Sequence, residues 1–218
     1  MNLTVAGIDQ SFTACGVSRV TVTNRLGTVD YSHWTSVVKE KKEDKGRDSV
    51  DRITDITHKV CGALMEGAWT SMIDLYCVEG YAYGMQNKSH DMGELSFGLR
   101  YSLKQSGCIV IVAPPTCIKK LISGNGNASK SDMIYAVNTK FGVDFTDHNK
   151  ADAFALAVYG IMALARYSTM TEPPIPRYLL AKNCVIKMLG RDLTDDEKLS
   201  IQLPHWTLKD ILNGKGFV

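Results

Sequence analysis

Apolar and polar residues alternate along this chain in two rhythms, and the change of rhythm marks its elements. Residues 3–8 form a short apolar run. Residues 15–22 alternate at a period of two, the pattern of a half-buried strand, and residues 29–38 are rich in Val, Tyr, Trp and Thr, which suit strands. Asn24-Arg25-Leu26-Gly27 supplies a turn between the last two, so a three-stranded meander is predicted. A run of mixed charge over 39–51 reads as a solvated connection. Ile53, Ile56, Val60, Leu64 and Met65 then recur at helical spacing. Residues 73–79 make a buried strand that ends on an acid, and Gly80-Tyr81-Ala82-Tyr83-Gly84 a loop. Met92, Leu95, Leu99 and Leu103 mark a helix closing at Gly107. A fifth strand, 108–112, is halted by Pro114-Pro115.

A short helix over 116–122 comes next, followed by the Gly-rich loop Ser123-Gly124-Asn125-Gly126-Asn127. Ser129 caps a helix reaching about Lys140. The last strong helix begins near His148 and runs to Arg166; from Ala153 to Ala165 it is apolar all round, which predicts burial. Three strands followed by alternating helices and strands predict an α/β fold around one five-stranded mixed sheet. Glu172-Pro173-Pro174-Ile175-Pro176 breaks the chain. We divide it into a domain over 1–170 and a C-terminal extension over 171–218, with one helix candidate near 178–189.

Composition narrows the class without naming a chemistry. At 218 residues, 44% hydrophobic and 22% charged, the chain reads as an ordinary globular protein with one sizeable core. No stretch approaches the roughly 18 apolar residues of a membrane span, and the opening residues read as a strand and not a signal peptide. The six cysteines are scattered, with no Cys-x-x-Cys pair. They read as small core residues of a protein kept in a reducing cytoplasm. Net charge is only +2, but residues 81–140 hold seven Lys or Arg against three Asp or Glu. A basic middle fits phosphate contacts and equally fits a solvated surface.

Three acids stand where structural acids seldom do. Asp9 follows an apolar strand, Glu79 follows Leu75-Tyr76-Cys77-Val78, and Asp152 lies in the apolar helix. A buried carboxylate needs a partner, and divalent metal ions would serve all three. Each acid alone has a bland explanation: Asp9 can cap a turn with Ser11 or Thr13, and Asp152 can complement a helix dipole. Asn149 and His148 lie three and four residues before Asp152 and share its helix face. Either can complete a metal site, the first by its amide oxygen and the second by a ring nitrogen.

These residues carry a resemblance. Gly7-Ile8-Asp9-Gln10-Ser11 with Gly16 beyond it resembles the first motif of RuvC-type Holliday junction resolvases, Gly-Ile-Asp-Pro-Gly and a second-strand glycine. Cys77-Val78-Glu79 looks like their second acidic motif. Pro115 to Lys119, then Gly124-Asn125-Gly126-Asn127-Ala128-Ser129-Lys130, is similar to their Pro…Val-Lys…Gly-x-Gly-x-Ala-x-Lys segment. Asn149-Lys150-Ala151-Asp152-Ala153-Phe154-Ala155-Leu156-Ala157 is similar to the last motif. The four motifs run in order from residue 3 to about 167, in the compact style of the phage and viral branch.

The resemblance implies a ribonuclease H-like fold, a homodimer and metal-dependent nicking of branched DNA such as four-way junctions. It implies two Mg2+ ions per site, with Mn2+ able to substitute, and Asp9, Glu79 and Asp152 as ligands. Asn149 stands where the family has Asp or His, and Gln10-Ser11 replaces Pro-Gly. Lys130 takes the place of a basic residue near the scissile phosphate, where it can stabilise developing charge. Tyr81 and Tyr83 occupy the loop that wedges into the junction; stacking there is worth about 1–3 kcal/mol per base. Lys88, Arg100, Lys104, Lys119 and Lys120 are candidates for phosphate contacts. Dimerisation falls on the helix over about 86–105, where Met92, Leu95 and Leu99 can face a partner or the core. No membrane and no nucleotide cofactor is expected, and the cytoplasm (a host's, for a virus) is the expected location.

Three rivals share features with this reading. An actin-like sugar kinase opens with a similar Gly-Ile-Asp-Gln, but needs a duplicated domain for which 218 residues are too few. A non-catalytic binding module would keep the fold while losing one metal site at Asn149. A nuclease of the same fold could prefer flaps, forks or RNA–DNA hybrids.

Overall fold

The computed structural model describes residues 1–40, 46–66, 73–80, 89–167 and 176–201. Five strands, β1 (Asn2–Asp9), β2 (Ala14–Arg25), β3 (Thr28–Lys39), β4 (Leu75–Glu79) and β5 (Val110–Ala113), form one sheet in the order β3-β2-β1-β4-β5. The β1–β2 and β2–β3 pairs are antiparallel, while β1–β4 and β4–β5 are parallel. The meander and the mixed sheet are as the alternation predicts. The β2–β3 hairpin closes on Leu26 and Gly27, both at positive φ, between paired Arg25 and Thr28. That conformation matches the sheet's twist, and Leu is an unusual residue to adopt it.

Seven helices complete the described chain: α1 (Ser49–Met65), α2 (Ser89–Gln105), α3 (Pro115–Ser123), α4 (Lys130–Phe141), α5 (His148–Tyr167), α6 (Pro176–Leu189) and α7 (Asp195–Ser200). The period of two along β1 and β4 divides them between two sheet faces. Ala6, Ile8, Tyr76 and Val78 pack with Ile56, Val60 and Leu64 of α1 and Leu95, Leu99 and Leu103 of α2. Leu3, Val5, Leu75 and Cys77 pack on the other face with α5 and, around it, α3, α4 and α6. Leu95 and Leu99 therefore belong to the core, and Met92 packs against the same cluster. The outward side of α2 instead carries Phe97 and Tyr101, exposed and stacked at 5.7 Å.

β4 begins at Leu75, two residues later than its apolar run. Asp74 is the cause: its buried carboxylate accepts the Thr4 N–H at 2.7 Å and pairs with Arg177 of α6. α6 buries Tyr178, Ala181, Cys184 and Val185 in the cluster built on α5. α7, which no apolar rhythm announces, starts with a reciprocal Thr194–Glu197 capping box. Arg166 holds its end by donating to the carbonyls of Lys198 and Ile201. Thus residues 176–201 share the core of the residues before them. All six cysteines are free thiols, and burial pushes Cys15 and Cys184 up to about 12. No described helix is long and apolar enough to cross a membrane.

Candidate active site

Asp9 is the last residue of β1 and Glu79 the last of β4. Ile8 pairs with Val78 in parallel register, so the two acids lie side by side at the carboxyl ends of adjacent strands. The period of two turns Asp9 to the face of Val5, and Glu79 to that of Cys77, the face covered by α5. Asp152 comes down from α5, one turn past its start.

Two glycines set how closely that helix lies on the sheet. A Cβ on Gly7 would stand 2.1 Å from the Ala153 carbonyl oxygen, and one on Gly16 2.1 Å from that of Asn149. Only a residue without a side chain fits at either point. Gly16 is the register partner of Asp9, so the tight approach brings the start of α5 to the strand end that carries the first acid.

The electrostatics show three acids in each other's way. Burial, then the charges of Glu79 and Asp152, raise the Asp9 carboxyl well above its usual range. Glu79 is raised by burial and by the Asp152 charge, and Asp152 by burial. The Asp9 and Glu79 carboxyls also act directly on each other, the contact raising Asp9 and lowering Glu79. All three residues keep part of their surface open to solvent. Among the described residues, no three His, Cys, Asp or Glu side chains converge closely enough to hold one ion. The arrangement is an adjacent pair with a third acid joined to it through its charge.

The bland explanations for these acids are taken up by their neighbours. Ser11, not Asp9, caps the turn after β1, its Oγ accepting from the N–H groups of Thr13 at 3.3 Å and Ala14 at 3.4 Å. Asp147, not Asp152, serves the start of α5, accepting the Asn149 N–H at 2.8 Å. The Asn149 side chain also donates to Asp147, which leaves its amide oxygen as the atom it can offer a cation.

Lys130, at the start of α4, opposes the charge of all three acids. Lys119 of α3 acts on Glu79 and Asp152, and His148 on Asp152. The other basic candidates lie elsewhere. Lys120 lines a groove of 780 Å³ between α3, α4 and α7. Arg100 and Lys104 belong to α2 on the opposite sheet face, where the Arg100 guanidinium donates to the Ser96 carbonyl and Lys104 faces the Cys108 thiol. Tyr81, Tyr83 and Lys88 lie outside the described residues. Gln10, seen in the sequence only as a departure from a motif, proves to bridge β1 and β4: its Nε2 donates to the Glu79 carbonyl at 3.0 Å.

Compared by sequence, the chain matches no protein-family model and no curated protein. Compared by structure, it is similar to RuvC of Thermus thermophilus, with a TM-score of 0.56 and 20% identity over 85% of this chain and 96% of that one. A second RuvC structure from the same organism, solved in complex with Holliday junction substrate, gives a TM-score of 0.55 and 22% identity over 71% of this chain and 90% of that one. The likeness is one of architecture: this chain has the RuvC-type, ribonuclease H-like fold.

Proposed function

We propose that this protein is a metal-dependent, structure-specific endodeoxyribonuclease that nicks Holliday junctions and related branched DNA. The observation that carries the reading is the Asp9–Glu79 pair at adjacent strand ends, with Asp152 and Lys130 facing it on a RuvC-type fold.

The donor set suits magnesium. It consists of hard oxygen ligands, crowded so that their own repulsion disfavours ionisation until a cation arrives. One or two carboxylates per ion, with water and phosphate oxygens completing each shell, is how magnesium is commonly held beside phosphates, and an adjacent pair plus a third acid supplies that number. Asp9, central to the charge interactions, would serve both ions, Glu79 one, and Asp152 the other with Asn149 or His148. Ions held there would supply the activation of a water and the steadying of the leaving oxygen. Lys130, exposed at the mouth of the site, offers a cation to the developing charge on the scissile phosphate, and Lys119 reinforces the field that draws DNA in. Tyr81 and Tyr83 keep their proposed role against unpaired bases at the branch. For a second copy, the exposed Phe97–Tyr101 side of α2 is the proposed contact, a point sedimentation of the chain checks.

Purified protein is expected to nick synthetic four-way junctions with Mg2+ or Mn2+, ahead of flap, linear and RNA–DNA hybrid substrates. Asp9→Asn should abolish cutting and leave junction binding intact. Absence of cleavage on every branched substrate with either metal would refute the enzyme and leave a binding module. A preference for flaps or hybrids would keep the chemistry and replace the substrate.

A further inference from the structure

Gln10 follows Asp9 directly and is buried. Its Nε2 donates to the Glu79 backbone carbonyl at 3.0 Å, joining the two strands that carry the acid pair. A carbonyl oxygen only accepts, so this bond assigns the orientation of the amide. The Gln10 Oε1 is then fixed as the other end, and it is buried with no partner.

An orphaned amide oxygen is costly to keep inside a protein. An apolar side chain of similar length would avoid that cost, so structure alone does not account for glutamine here. What glutamine supplies in return is the Nε2 bond to the Glu79 carbonyl, which ties the residue after Asp9 to the backbone of the residue that carries the second acid.

We propose that Gln10 is a positioning residue for divalent-ion binding at Asp9 and Glu79. Its Nε2 bond holds the end of β4 against β1, and with it the Glu79 carboxyl beside that of Asp9. The inference rests on the metal-dependent reading above and extends it to a residue that departs from the resolvase motif.

Gln10→Met removes the Nε2 bond and the orphaned oxygen while keeping the length of the side chain. The test follows Mn2+ uptake by the full chain without DNA, by electron paramagnetic resonance or titration calorimetry, alongside urea unfolding in metal-free buffer. Wild type is expected to bind Mn2+ and Asp9→Asn to lose it. Gln10→Met should bind at least tenfold more weakly while unfolding at or above the wild-type midpoint; on a four-way junction its kcat should fall with KM unchanged. Wild-type Mn2+ affinity in Gln10→Met overturns the proposal, as does a loss of affinity that tracks a lowered unfolding midpoint. A wild-type chain that takes up no Mn2+, or an Asp9→Asn chain that takes it up unchanged, overturns the metal reading together with it.

Discussion

Replacing Gly16 by alanine sets a carbon 2.1 Å from the Asn149 carbonyl oxygen, 2.9 Å from its carbonyl carbon and 3.2 Å from the Ala153 Cβ. Close-packed interiors tolerate no such overlap, so strand and helix must part by about 1 Å. The obstruction is backbone, and no rotamer change relieves it. β2 is paired on both sides, with β1 and β3, and α5 is buried through almost its whole length, so neither yields alone. Overpacking of this kind costs about 1–3 kcal/mol, and two rigid partners put Gly16→Ala at the upper end. The functional loss should be larger. Asn149 and Asp152 ride on the displaced turn, and a misplacement of about 1 Å at reacting groups costs about a hundredfold in rate. Urea unfolding and Mg2+-dependent nicking of a four-way junction measure the two effects separately. Gly62→Ala on α1 is the control, since a Cβ there meets nothing within 4 Å. It should stabilise by up to about 1 kcal/mol and leave cleavage alone. A Gly16→Ala protein that unfolds at the wild-type midpoint and cuts at the wild-type rate would refute the claim that this contact places Asp152.

Two further outcomes concern stability. The folded protein raises the carboxyls of Asp9, Glu79 and Asp152, so it binds protons that the unfolded chain releases near pH 4. The stability this brings is fully present below that pH and is lost as pH rises through the raised values. Asp9→Asn removes one of the repelling charges. Without metal it should therefore have a higher urea midpoint than wild type at pH 8, the gap closing toward pH 4. Mn2+ at a hundred times its Kd should raise wild type alone, by about 2.7 kcal/mol; equal midpoints at pH 8 would contradict the raised carboxyls. The second outcome is at the hairpin. Leu26 is fully exposed at φ 52, a conformation costing an ordinary L-residue about 1–2 kcal/mol. Leu26→Asn makes the favoured Asn-Gly turn and should stabilise by about 1 kcal/mol in the same assay without changing cleavage.

What the chain declares in advance follows from how local its cause is. The meander, the buried α5 and the ends of β1 and β4 come from periodicity and turn chemistry within a few residues, and these are where the structure puts them. α7 was legible in the same way and was missed: Thr194 and Glu197 form the capping-box pattern, but its six residues are too few for an apolar rhythm. Other features depend on contacts that spacing cannot express. Leu95 and Leu99 turn inward because the α2 stripe lies on Ile8 and Val78, and the outward side is then left to Phe97 and Tyr101. Lys119 and Lys120 are neighbours in one basic pair, yet α3 sends only the first toward the acids and the second to another groove. The glycines of the first motif are visible as letters, but their purpose shows only when α5 lies against them.

The same limit separates two kinds of buried acid. Asp74 and Glu79 bracket one apolar strand, and nothing local distinguishes them. Asp74 finds a backbone N–H at Thr4 and a guanidinium from Arg177, far along the chain. Burial still raises its carboxyl, but the Thr4 N–H and Arg177 pull it back, and its work is to join α6 to the sheet. Glu79 finds another carboxyl, with a third acid nearby and the nearest cations, Lys119 and Lys130, felt only through their charge. Evolution of a purely structural core would remove such a cluster, because each uncompensated acid lowers stability. A fold that spends two glycines on bringing α5 against these strand ends, and then crowds acids there, has kept an electrostatic deficit that a cation removes. That deficit, more than the identity of any one acid, is what singles out the strand ends of β1 and β4 as the proposed site of chemistry.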